Sequence, residues 1–423
     1  MIRPPESSAL IVGMNENAAR FCAAAAALSQ SDGDALGVLA AAPGGEKSER
    51  LISRVLSYGH TSVAEHIVFN VAFHNISAVA EQFLIGFRLA SFTVKSRRYA
   101  DFSEACFFVP TGLSGRAREL FENHARELFG EYARLRAAGI PGEDARFALP
   151  YCFRSNMLVT VNARELIHIV ARARGNFLPE INALGERLAG QLEKLCPPIF
   201  AALPKASPET APERAFGFYP PAENTADIVA APADADALIS AAEAVSGAVF
   251  DPLRPGREAE QLCYTIRFNA LSLSALTHLA RHRMQSLVIP RIYGGSFGAR
   301  VLPRTIATDP EALERYSAVF ARSEEAAGRL ASDGYGADTL VYLALSGMTV
   351  PALTTMNFRE LELFLRLRTC RRAQWEIRFA AKDLLSKLRR LDPERFGMIG
   401  PGCFETGKCP EGRMSCGLGA EDI

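Results

Sequence analysis

Apolar and polar residues alternate over residues 66–75, "HIVFNVAFHN", and again over 261–270, "QLCYTIRFNA". A period of two with β-branched and aromatic side chains at the apolar positions predicts strands. The period then lengthens. "SAVAEQFLIGFRLA" (77–90) and "SLSALTHLARHRMQ" (272–285) each open on Ser and carry apolar residues at helical spacing, which predicts Ser-capped helices. Long amphipathic helices follow in both cases. One is "SGRARELFENHARELFGEYARLRAAG", ending at Gly139; the other is "DPEALERYSAVFARSEEAAGRLASDG", opened by Asp309 and Pro310 as cap and first turn. Their charged runs read as solvated faces. Further helices start at Asn in "NARELIHIVARAR" and "NFRELELFLRLRTC". The pattern predicts an α+β protein with more helix than strand.

The same elements therefore occur twice, and the two runs hold one register. Phe73 matches Phe268, Arg88 matches Arg283 and Ser91 matches Ser286, a constant offset of 195 residues. Asn162, Arg164 and Leu166 match Asn357, Arg359 and Leu361 at that same offset, and after one inserted residue Glu180 and Ile181 meet Glu376 and Ile377. A shared register over separated segments indicates a tandem duplication. Residues 203–236 are rich in Pro and Ala without a steady period, which predicts a linker. The expected organisation is a first domain at 1–202, the linker, and a second domain at 237–423 whose tail, 397–423, bears cysteines.

Composition narrows the function. The chain has 423 residues, 48% of them hydrophobic, with 47 basic against 47 acidic side chains. That length holds more than one core, and the zero net charge gives no field for nucleic acid. No apolar run reaches the ~18 residues of a membrane helix, and the N-terminus does not read as a signal sequence, so a cytoplasmic protein is expected. An odd count of nine Cys in a long chain argues against a disulfide scaffold.

Candidate chemistry gathers in four stretches: "GHTSVAEH" (59–66), "ASFTVKSRRYADFS" (90–103), "ARHRMQSLVIPRIYGG" (280–295) and "LRLRTCRRAQWEIR" (365–378). Arg281, His282 and Arg283 are dense cations beside a core-forming run. Alone, they read as a solvated helix end suited to the helix dipole. Together the motifs resemble those of the flavin-dependent thymidylate synthases. The first half supplies Gly59, His60, Ser62, Glu65 and His66, then Ser96, Arg98 and Tyr99, then Asn162, Ala163 and Arg164. The second half supplies Arg281, His282, Arg283, Arg368, Ala373, Gln374, Trp375, Glu376 and Ile377. Each half lacks part of the set: Gly86 and Phe87 stand where the first half should carry the Arg-His of Arg-His-Arg, and the second half has no Gly-His-x-Ser block.

The resemblance implies two fused copies of that family's domain, an antiparallel or mixed sheet with packed long helices, arranged as a pseudo-dimer whose homodimer mimics the family tetramer. It implies reductive methylation of dUMP to dTMP with methylenetetrahydrofolate, FAD and NADPH. Ser96, Arg98 and Arg368 match positions at the reacting nucleotide. Arg98, Arg146, Arg172, Arg291 and Arg368 match nucleotide-binding positions, where a planar guanidinium bonds phosphate or a uracil carbonyl in two places. His60, Ser62, Glu65, Arg88, Asn162, Arg164, Arg281, His282, Arg283, Asn357 and Arg359 fall to the flavin. Composite sites are expected, one joining Arg281, His282, Arg283 and Arg291 to Arg146, Asn162, Arg164 and Arg172, the other joining Arg88, Ser96 and Arg98 to Asn357, Arg359 and Arg368. Two other readings stand beside this one: a flavoenzyme of the same fold acting on another pyrimidine nucleotide, and a non-catalytic nucleotide- or flavin-binding protein. Cys-bearing tails in one branch of the family imply Zn²⁺ at Cys370, Cys403, Cys409 and Cys416, where four thiolates would suit that metal. Trp375 reads as a packing residue.

Overall fold

Each half of the chain folds its alternating segments into a four-stranded antiparallel sheet. A computed structural model describes residues 6–104, 106–290 and 295–418. The first sheet has β1 (Ser8–Met14), β2 (Val68–Ser77), β3 (Ala90–Val94) and β4 (Arg154–Asn162) in the order β1-β2-β4-β3. The second has β5 (Ala226–Ala230), β6 (Cys263–Ser272), β7 (Gln285–Val288) and β8 (Thr349–Asn357) in the order β5-β6-β8-β7. The protein is thus α+β with two antiparallel sheets and many helices.

The register repeats in detail. Val68 pairs with Asn162 as Cys263 pairs with Asn357, and β2 slips between Phe73 and Ile76 as β6 slips between Phe268 and Leu271. On β2, Phe69, Val71 and Phe73 are buried while Asn70 and His74 are exposed; on β6, Tyr264, Ile266 and Phe268 are buried while Arg267 is exposed. The alternation read from the sequence is a sheet with one face in the core. Burying an aromatic such as Phe69 or Phe268 contributes about 2 kcal/mol.

Past the slip, a buried carboxylate fixes each strand end to a helix. Glu180 accepts from the Ser77 N–H at 2.8 Å and from Ser77 Oγ at 2.5 Å. Glu376 accepts from the Ser272 N–H at 2.6 Å and from Ser272 Oγ at 2.5 Å. Each Ser Oγ also accepts from the amide three residues on, Ala80 at 3.1 Å and Ala275 at 2.9 Å, which caps the following helix as expected. Burial raises both carboxyl pKa values, that of Glu376 to about 7, against the opposing pull of these hydrogen bonds.

Two compact units result. The first comprises Met1–Gly142, Leu149–Ala215 and Arg322–Ala344; the second comprises Glu143–Ala148, Phe216–Ala321 and Leu345–Ile423. Each unit takes in a segment from the other half's sequence. The stretch expected to be a linker also carries structure, because β5 lies inside it and pairs with β6. Its five residues are too short for a periodicity to show among the prolines.

Candidate active site

In the second unit the helix Leu273–Ala280 stops one residue before the cationic cluster. Arg281 caps that helix, and His282 and Arg283 follow it outside regular structure, so the helix is shorter than the pattern over 272–285 had suggested. The His282 N–H donates to Leu279 O at 3.1 Å. Gln285 braces the turn: its Nε2 donates to Leu279 O and His282 O, each at 2.7 Å, while its Oε1 accepts from Thr354 Oγ1 at 2.6 Å. Arg281 and Arg283 are exposed, and His282 points inward with 6% exposure.

The buried imidazole joins two charged groups. Its Nδ1 lies 2.9 Å from Glu360 Oε1, and its Nε2 lies 3.0 Å from Arg368 Nε. Arg Nε can only donate, so Nε2 accepts, and Nδ1 carries the proton given to Glu360. Burial lowers the His282 pKa; the hydrogen bond to Glu360 opposes this and the Arg368 charge adds to it. The ring is neutral in this arrangement. Phe364 meets it edge-on at 5.1 Å between centroids, and one Arg368 Nη donates to His278 O at 3.2 Å.

Glu360 reaches His282 because of how its helix starts. Asn357 Oδ1 accepts from the Glu360 N–H at 2.9 Å and caps the helix Phe358–Arg368. Asn162 caps Ala163–Arg174 identically, accepting from the Glu165 N–H at 2.9 Å. Both Asn side chains, expected at the flavin, thus have a structural use. Arg164 pairs with Glu65 at 2.6 Å and Arg359 with Glu260 at 3.0 Å, both partly exposed, so this bridge between helix and preceding block is also duplicated.

Residues of the helix Glu46–Ser57 help line two clefts among the described residues of the first unit. The larger, about 910 Å³, is lined by Arg54, Tyr58, His60, Ser62 and His66 against small residues of the helix Ala18–Leu28. The smaller, about 660 Å³, is lined by Thr61, Arg164, His168 and Pro198 among others. A ring, two imidazoles, a hydroxyl and a guanidinium on one concave wall suit a flat heteroaromatic ligand carrying phosphate. Tyr58 and Arg54 were not singled out from the sequence; they sit just before the Gly-His block and have no motif of their own.

The other expected residues are scattered over the two units. Ser96 Oγ accepts from the Arg98 N–H at 3.2 Å in a turn after β3, and Arg98 lies 5.5 Å from the Tyr99 ring. Arg88 is exposed. Arg146 is buried at 2% exposure, donates to Glu143 O at 3.0 Å, and belongs to the second unit with Arg281–Arg283 and Arg368. Arg172 is exposed and pairs with Glu209 at 3.4 Å. Arg291 lies outside the described residues. Trp375 packs edge-on to Phe147, and its Nε1 donates to Asp144 Oδ1 at 2.7 Å, as a packing residue with a satisfied N–H.

The zinc expectation finds no support. Among the described residues, no group of three or more His, Cys, Asp or Glu is placed to hold a metal ion. Burial raises the Cys403 pKa, with Cys409 and Cys370 adding to that rise, and Cys416 is exposed. Spacing in the tail, with Gly and Pro between the thiols, could not show this.

The model of the family described as thymidylate synthase complementing protein matches residues 10–198 and 250–394. A flavin-dependent thymidylate synthase of Geobacter sulfurreducens is 34% identical over 166 residues, 38% of this chain and 71% of that protein. The protein of that name from Sulfurisphaera tokodaii is 33% identical over 158 residues, 37% of this chain and 62% of its own length. The chain thus spans under two thirds of the latter. The crystal structure of thymidylate synthase X from Helicobacter pylori with FAD and dUMP aligns at 22% identity and a TM-score of 0.37, covering 46% of this chain and 99% of that one. Among the described residues, no helix is long and apolar enough to cross a membrane.

Proposed function

The chain belongs to the thymidylate synthase complementing protein family, matched twice along its length, and from that premise we propose that it is a flavin-dependent thymidylate synthase converting dUMP to dTMP. Methylenetetrahydrofolate is the proposed one-carbon donor and NADPH the reductant. The observation that carries the reading furthest is Arg368. Its family position is a nucleotide-binding one, and its guanidinium is held in place by His282 and the His278 carbonyl.

Arg368 and Arg146 are the proposed nucleotide-binding residues of the second unit; Ser96 and Arg98 keep family nucleotide positions in the first unit, which has Ala173 where the second has Arg368. A guanidinium beside a uracil carbonyl stabilises the negative charge that develops there when C5 is attacked. It also orients the base by its fork. His60 and Ser62 on the larger cleft, with Tyr58 and Arg54 beside them, are proposed to hold the flavin in the first unit. Flavin, when bound, supplies the two-electron chemistry of the reductive methylation. The side chains bind, orient and neutralise charge.

The proposed arrangement is two copies of the family domain, the second taking in β5 from the stretch 203–236, assembling as a homodimer of the chain. Sedimentation of the purified protein tests the assembly. An absorption spectrum followed by dUMP titration tests the function. A flavin band near ~450 nm that dUMP perturbs is expected. A spectrum that stays flat after added FAD and dUMP would remove the enzyme reading.

A further inference from the structure

We propose that His282 and Glu360 are positioning residues that aim the Arg368 guanidinium at the nucleotide, with the His282 imidazole acting through Arg368 and not on the nucleotide itself. The inference rests on the reading of Arg368 as a nucleotide-binding residue. Three observations lead to it.

First, both ring nitrogens of His282 are already engaged, Nδ1 by Glu360 and Nε2 by Arg368, and the side chain is almost wholly buried. A ligand contact would require breaking one of these hydrogen bonds inside the core, where an unpaired polar group is costly.

Second, the internal repeat supplies a control within the same chain. Carried back by the 195-residue offset, His282 falls on Phe87, Gln285 on Ala90, Thr354 on Val159 and Arg368 on Ala173. All four of those residues are buried and apolar. The first unit fills these four positions with apolar side chains, so the fold itself does not need a histidine–arginine pair there. Replacing a buried polar set by apolar groups is often neutral or favourable for stability. The polar set stands in the copy that carries the arginine, and its absence coincides with the arginine's absence.

Third, Glu360 is turned to this task by a local choice. Both helices have Glu three residues after an Asn cap. In the first unit Glu165 accepts from the Leu89 N–H at 3.3 Å and lies 3.7 Å from His168. In the second, the same position meets a histidine that has an arginine on its far side. The carboxylate fixes the tautomer with the proton on Nδ1, which leaves Nε2 a lone pair for Arg368 Nε. An arginine ordered before the nucleotide arrives loses less freedom on binding.

A double-mutant cycle on dUMP affinity tests this, with flavin occupancy and Tm measured on every protein. His282→Phe copies the first unit's Phe87. It is expected to weaken dUMP binding about tenfold or more while flavin binding is retained. Arg368→Ala is expected to weaken binding at least as much. With Arg368→Ala in place, His282→Phe should add less than about twofold, because its effect passes through Arg368. Glu360→Ala should behave as His282→Phe does, and it takes that variant's place if His282→Phe does not fold. Additive effects of His282→Phe and Arg368→Ala would show that His282 contacts the ligand itself and overturn the proposal. Unchanged dUMP affinity in Arg368→Ala would overturn it too, while the wild-type response to dUMP left the enzyme reading standing. A wild-type protein that ignores dUMP would remove both.

Discussion

Nε of Arg368 donates to Nε2 of His282 at 3.0 Å, and the position equivalent to Arg368 in the first half is Ala173. The two copies of the fold are therefore unequal at this arginine. One unit carries the guanidinium and the network behind it; the other carries buried apolar side chains.

That inequality sets a stoichiometry. dUMP titrated into the flavin-loaded protein should saturate at one nucleotide per chain, read by calorimetry or by the flavin band. Two equivalent sites per chain would mean that Ala173 and Phe87 do not disable the first copy.

Replacing the fork by a point charge should be felt at the nucleotide. Arg368→Lys keeps the charge but loses the planar set of donors and the Nε hydrogen bond to His282. A charge-assisted hydrogen bond is worth about 1.5–3 kcal/mol, so dUMP affinity should fall about tenfold or more. A Kd within twofold of wild type would show that charge alone suffices.

Stability should fall as pH rises through neutrality. Burial raises the folded pKa of Glu376 from the ordinary 4.5 of a free Glu to about 7. Its favourable contribution is complete below pH ~4.5 and is lost as pH climbs through ~7, at most on the order of 3 kcal/mol. Glu362, raised by burial to about 7 beside Arg366, acts in the same direction. Urea melts at pH 5 and pH 8 should show the decline in wild type and a smaller one in Glu376→Gln. An equal decline in both would place the titration elsewhere.

The Asn caps offer a separation of structure from binding. Asn162→Ala and Asn357→Ala should each cost about 1 kcal/mol of stability, the ordinary price of an N-cap. Denaturant unfolding measures it. A variant that loses flavin with its stability unchanged would restore the cofactor role first expected for these residues.

Much of this was legible in the sequence because the repeat is deep. Phe73 and Phe268 announced the paired strands, and the backbone slips after each of them at the same place. Ser77 and Ser272 were readable as caps, and they are caps. Other features were hidden for physical reasons. Whether His282 faces solvent or core depends on where its helix stops, and that is fixed by Gln285 and Thr354, which belong to no motif. The larger cleft of the first unit joins the helices Ala18–Leu28 and Glu46–Ser57 to the Gly-His block, and this is a long-range contact no spacing reveals. The β5 strand was lost inside a Pro-rich stretch. The tail cysteines had turn residues between them, and among the described residues no group of three or more metal-ligating side chains supports a metal there.

The most direct test of the account is product formation. The purified chain, supplied with FAD, NADPH, methylenetetrahydrofolate and dUMP, should yield dTMP, and Arg368→Ala under the same conditions should yield far less. A flavin-loaded protein that turns over no dUMP, or one whose dTMP output is indifferent to Arg368, would contradict it.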